Sequence, residues 1–185
     1  MNEGRSFDGC VFYLENDLDL AGYDWAPIGW YKPADGGPNW KDFPFNATFY
    51  GNGHVIYNLS IYAPDHSDLG LFGRTLSGFS VHDLGLVDCN IVGKFYVGAI
   101  LGDNINSGKD YDMTNCFVTG TVKGQMTIGA LVGSSAYLKI KDCYAYLTPD
   151  STDVITGDLR GGEIVNCHMN DKASQTFLRA YLDSE

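Results

Sequence analysis

The chain is poor in good helix formers. Only 25 of its 185 residues are Glu, Lys, Ala or Gln, against 54 that are Gly, Asp or Asn. Gly, Asp and Asn occupy φ > 0 corners that other residues avoid, so this balance excludes a helical bundle or coiled coil and points to strands joined by turns. Basic residues are scarce as well: 12 Lys and Arg stand against 23 Asp and Glu, for a net charge of −11. That surface argues against nucleic acid or anionic lipid as a partner. No apolar run approaches the roughly 18 residues of a membrane-spanning helix, because Gly breaks stretches such as Val97 to Leu101. The opening Met1-Asn2-Glu3-Gly4-Arg5 has no apolar signal-peptide core, so the chain is expected to be either cytosolic or an excised piece of a longer polypeptide.

The usual signatures of chemistry are missing too. No pair of cysteines has C-x-x-C spacing, and there is no Gly-x-Ser-x-Gly elbow, phosphate-binding Gly loop with Lys, or Asp-x-Asp-x-Asp-Gly calcium loop. His54, His66, His82 and His168 lack ligand spacing, and four Arg are few for a polysaccharide lyase. No cofactor, metal site or catalytic set is expected. Disorder is excluded by a 44% hydrophobic and 14% aromatic content, and the length suits one domain.

What is present is a repeat. Four of the five cysteines sit in similar strings: Leu86-Val-Asp-Cys89-Asn-Ile, Met113-Thr-Asn-Cys116-Phe-Val, Ile140-Lys-Asp-Cys143-Tyr-Ala and Ile164-Val-Asn-Cys167-His-Met. The cysteines step by 27, 27 and 24 residues. A second string precedes each one: Leu69-Gly-Leu-Phe-Gly73, Val97-Gly-Ala-Ile-Leu-Gly102, Ile128-Gly-Ala-Leu-Val-Gly133 and the degraded Ile155-Thr-Gly-Asp-Leu-Arg-Gly161, with closing glycines 29, 31 and 28 apart. Apolar residues lie three before and two after each cysteine, and strict alternation cannot put both inside. The phase must flip at the residue before it, which is Asp88, Asn115, Asp142 or Asn166. Asp and Asn tolerate the left-handed region and bond the local backbone, so each marks a corner with an inward cysteine just after it.

Strand, corner, strand and Gly-rich return every ~27 residues is the plan of a parallel β-helix, with coils stacked about 4.8 Å apart. A β-sandwich would turn every 8–12 residues or so without identical strings at this period. Residues 1–62 are expected to continue the coil upstream. They hold all three Trp, and Asn58-Leu59 and Asp83-Leu84 repeat the corner 25 residues apart, with residues 30–45 an excursion. Residues 63–170 carry the repeats, and residues 171–185 form a cap or tail in which Thr176 to Leu182 is amphipathic and would cover an open solenoid end.

The strings Gly129-Ala-Leu-Val-Gly133 and Asn115-Cys-Phe-Val-Thr-Gly-Thr-Val-Lys-Gly124 resemble the GLUG motif of bacterial surface and secreted proteins. So does the upstream run Leu14 to Gly22, Trp25 to Gly29 and Thr48 to Leu59, although Tyr50 stands where that family often has Asp and residues 30–45 are longer than usual. The resemblance covers about Phe7 to Cys167. It implies a right-handed, pectate-lyase-like β-helix found in adhesin-like proteins and beside immunoglobulin A peptidase domains, without a catalytic set. It also implies a fragment of a larger protein, an extracellular or cell-surface location, and other domains of the same polypeptide as neighbours.

Stacked coils would set Cys89, Cys116, Cys143 and Cys167 in one ladder near 5 Å apart, where a disulfide is allowed, but buried free Cys is also an ordinary small hydrophobe. Core packing is the expectation, with an odd total leaving one thiol unpaired. Asp17 and Asp19 would share one strand face as surface carboxylates, and Asp103, Asp110 and Asp112 are expected in a solvated loop. Trp25, Trp30, Tyr31 and Trp40 are the candidate ligand-binding residues, either an exposed stacking platform for sugar rings or a seal on the solenoid flank. The expected function is a non-catalytic structural or adhesive module, with a glycan or a host or matrix protein as partner. The alternative is carbohydrate binding or polysaccharide cleavage by the aromatic segment.

Overall fold

The computed structural model of the chain describes residues 7–29, 44–76, 78–105 and 111–182. All its strand pairs are parallel, with partners 24 to 38 residues apart in sequence. Parallel pairing one coil apart on several faces is a parallel β-helix, as the repeat requires. Sheet A stacks Val11–Tyr13, Thr48–Tyr50, Ser80–His82, Tyr111–Thr114, Leu138–Lys141 and Glu163–Val165. Sheet B stacks Leu18–Asp19, Val55–Tyr57, Gly85–Val92, Phe117–Lys123, Tyr144–Leu147 and His168–Met169, with Ser60–Tyr62 also on Gly85–Val92. Sheet C stacks Phe72–Thr75, Leu101–Asn104, Val132–Ala136 and Thr156–Arg160. Between B and C, Phe95–Val97 pairs with Met126–Ile128.

Coil length is not constant. One row of sheet A runs Phe12, Phe49, Val81, Met113, Ile140, Ile164, so the coil shortens through 37, 32, 32, 27 and 24 residues. The glycine strings are the return into sheet C. The chain doubles back so tightly that a Cβ on Gly129 would lie 2.0 Å from the Val132 carbonyl oxygen, and only glycine fits. The apolar residues around it, Ala130, Leu131 and Val132, are fully buried.

The coil that holds Asp83 and Asp88 turns at two Asx corners, one more than the repeat reading allowed. The first corner row is Asp83, Asn115, Asp142 and Asn166, all with φ between 50° and 53°. Their backbones stack, since Asp83, Asn115 and Asp142 donate in turn to Thr114, Lys141 and Val165. Side chains also pair: Asn115 Nδ2 donates to Asp83 Oδ1 at 3.0 Å and Asn166 Nδ2 to Asp142 Oδ1. Alternating Asp and Asn avoids facing carboxylates one coil apart.

The second row contains Asn58 (φ 59°) and Asp88 (φ 56°), and Asn58 Nδ2 donates to Asp19 Oδ1 at 2.8 Å. Asp88 therefore belongs to a different corner from Asn115, Asp142 and Asn166. The expected cysteine ladder is corrected accordingly. Leu84, not Cys89, precedes Cys116 in the row, and Cys89 faces Gly120, just past a register slip between Val118 and Gly120. The 25-residue step from Asn58 to Asp83 likewise joins two different corners and is not a coil.

The helix Lys172–Leu182 is begun by reciprocal capping: Ser174 N donates to Asp171 Oδ1 (2.8 Å) and Asp171 N to Ser174 Oγ (3.0 Å). The helix does not cover the open end of the solenoid. It lies on the outer face of sheet B, over the row Val55, Gly85, Phe117, Tyr144. Phe177 stacks on Tyr144 with ring centroids 4.1 Å apart, Tyr181 meets Phe117 at 4.6 Å, and the Tyr181 hydroxyl donates to the Gly53 carbonyl. Burying Phe117 and Leu178 here contributes about 1.5–3 kcal/mol each, which favours the flank. The last coil keeps Ile164 44% exposed.

Candidate functional site

The aromatic segment contributes one described member of the expected platform. Trp25 is held by Ile28, which bridges to Phe72 and donates its N–H to the Leu71 carbonyl. The indole N–H also donates to Leu71 O, at 3.3 Å, and the ring is half-buried against the core. With its polar edge used internally, Trp25 is a wall. It lines a shallow hollow of about 310 Å³ with Asp24, Leu69 and Tyr62, and Tyr62 is 78% exposed. Trp30, Tyr31 and Trp40 lie outside the described residues.

Asp17 and Asp19, expected as surface carboxylates, bond the neighbouring coil. Asp17 Oδ1 accepts from the Val55 N–H at 2.9 Å and lies 3.0 Å from His54 Nδ1, while Asp19 accepts from Ala21 N and Asn58. The expectation for Asp103 is overturned. It lies on the sheet C strand Leu101–Asn104, buried, with Arg74 Nε 3.8 Å away, and burial raises its carboxyl above the ordinary range despite Ser134 and Arg74. Leu101 carries it inward, which composition could not reveal. Asp112 is half-buried and accepts from Ser80 Oγ, and Asp110 lies outside the described residues. Among the described residues no three His, Cys, Asp or Glu side chains are grouped to hold a metal ion.

All five cysteines are free thiols. In the first corner row each inward thiol donates to the carbonyl two residues back: Cys116 to Thr114, Cys143 to Lys141 and Cys167 to Val165, at 3.2–3.3 Å. A small apolar residue with a weak donor suits a buried position beside a corner carbonyl. Burial pushes the Cys89 thiol up to about 12. Hydrogen bonding within the row, to Cys116 and Cys143 respectively, and burial raise Cys143 and Cys167. The raised pKa keeps these three thiols protonated at neutral pH, which slows their reaction.

The larger candidate is a cleft between the helix and the second corner, which sequence reasoning did not find. Two adjoining hollows of about 420 and 530 Å³ share Asp88, Thr119, Tyr146 and Gln175. Val87, Phe117 and Leu178 give an apolar floor, and Arg179 stands at one end with Thr148 and Asn170 at the other. Asp88 enters because its left-handed φ turns the chain at the rim, where its N–H is taken by Thr119 Oγ1 at 2.9 Å. Gln175, Leu178 and Arg179 share a helix face by i, i+3, i+4 spacing, the one local signal that pointed here. Tyr146 is 42% exposed on the outer face of sheet B. The Asp88 carboxylate, Gln175 amide, Arg179 guanidinium and Tyr146 hydroxyl have no partner among the described residues.

No family model matches the chain. In an alignment of 143 positions that covers 72% of this chain, it is 31% identical to halomucin of Haloquadratum walsbyi, and it spans only about 2% of that protein. Among solved structures it resembles a Bacteroides ovatus protein described as a "putative immunoglobulin A1 protease", at a TM-score of 0.55 and 18% identity, covering 89% of this chain and 70% of that one. The two share a fold. At that identity the likeness extends to the β-helix and not to a site or an activity.

Proposed function

We propose that the chain is a non-catalytic β-helical module of a long extracellular or cell-surface protein, serving as spacer and adhesive surface and working beside other domains of the same polypeptide. The observation that carries this reading is that the recurring residues are spent on architecture. Asx residues turn the coils and pair across them, glycines permit the return, and corner thiols bond carbonyls. The similarity to about 2% of halomucin supports a module within a much longer chain, and the mucin in that name supports a surface setting. The likeness to a protein described as a protease supports the β-helix alone.

The test is twofold. An antibody raised against the purified chain should label intact cells that produce the parent protein; labelling that requires permeabilised cells overturns the surface assignment. Immunoglobulin A1 incubated with the chain should remain whole, and cleavage would overturn the non-catalytic assignment.

A further inference from the structure

We infer that the cleft between the helix and sheet B binds a neutral saccharide, one or two hexopyranose units, with Tyr146 as its stacking face. This goes beyond the module reading and does not depend on it. The volume is that of a small-molecule site, with an apolar floor and a few convergent polar groups. The outer row Thr119, Tyr146 and their neighbour Val87 climbs one coil at a time, about 10 Å over two steps, enough for two linked rings.

A pyranose has an apolar face for Tyr146 and a rim of hydroxyls that both donate and accept. Asp88 offers only acceptors, Arg179 only donors and Gln175 both. These groups are not occupied by one another, so their charge-assisted hydrogen bonds remain for a ligand. A polyanionic glycan would meet Asp88 and a chain of net charge −11. An extended peptide would need an open strand edge, but Gly85–Val92, Phe117–Lys123 and Tyr144–Leu147 are paired on both sides.

The full chain is screened on an array of neutral oligosaccharides of glucose, galactose, mannose and N-acetylhexosamines, together with uronate and sulfated glycans. The best neutral disaccharide is then titrated by 1H–15N NMR. Saturable shifts are expected at Thr119, Tyr146 and Gln175. Tyr146→Ala and Asp88→Asn should each weaken binding about tenfold with spectral dispersion unchanged, whereas Tyr146→Phe should retain it. Tyr62→Ala, in the Trp25 hollow, should bind as the parent does. Arg179→Ala, on the helix surface, supplies an independent loss should Tyr146→Ala misfold. The assignment is overturned by the absence of any neutral hit, by hits confined to acidic glycans, or by binding that survives a folded Tyr146→Ala or Arg179→Ala.

Discussion

Gly120→Ala tests the register slip on which the corrected corner rows depend. Gly120 has φ 123° and lies in sheet B against Cys89. An added Cβ would sit 2.1 Å from the Cys89 oxygen and 2.6 Å from its nitrogen. Both are backbone atoms in the interior of a stack, so relief requires moving a coil, not rotating a side chain. The backbone conformation costs about 1–2 kcal/mol for a residue with a Cβ, and overpacking adds about 1–3 kcal/mol. The sum, about 2–5 kcal/mol, is a large share of the roughly 5–15 kcal/mol of a typical domain. At about 2–4 °C per kcal/mol for a chain of this size the midpoint should fall by about 5–20 °C. Gly53→Ala is the control, because Gly53 has φ 79° but open space around its Cβ position. It should lose only the backbone contribution, about 1–2 kcal/mol. Urea unfolding followed by Trp fluorescence, with thermal circular dichroism as a second probe, measures both. If Gly120→Ala is no worse than Gly53→Ala, the close approach, and the register that produces it, are wrong.

Three further outcomes are expected. The Ser174 N–H, and after it His168, hold the Asp171 carboxyl below its ordinary range, so its support of the helix is present above the unfolded pKa and lost as pH falls through the lower folded value; the 222 nm signal should drop in acid, and Asp171→Asn should remove that pH dependence. Thr127 is β-branched at φ 59° in the corner row where an earlier coil uses Asp68 (φ 58°), so Thr127→Asn should stabilise by about 0.5–1 kcal/mol in a denaturant titration; a loss of stability would count against the alignment of that row. With a thiol reagent, exposed Cys10 should react at once, half-buried Cys167 more slowly, and Cys89, Cys116 and Cys143 only on unfolding; fast labelling of three or more thiols in the native chain would contradict the burial.

The β-helix was readable because its determinants are local. A left-handed Asx needs only its own backbone, and the glycine string is a close approach within four residues, so both leave a mark in the sequence wherever they occur. Coil stacking was not local. Asp83 and Asp88 are five residues apart, chemically alike and both at positive φ, yet they turn different corners. The similarity of Leu86-Val-Asp-Cys89-Asn-Ile to the later strings therefore misaligned Cys89 by one corner. What separates them is which carbonyl each N–H reaches one coil away.

The same division holds for the site. The shortage of helix formers, the Asx corners and the glycine returns decided the architecture by themselves, because each states a backbone conformation that few residues adopt. Tertiary structure alone decided that the helix lies on the flank of sheet B, that Asp103 is buried beside Arg74, and that Asp88, Tyr146, Gln175 and Arg179 meet around one cleft. Those groups come from separate coils and a helix, and only stacking brings them together. Their proximity is a property of the register and of the apolar burial that holds the helix down, and neither is written in any single stretch of chain.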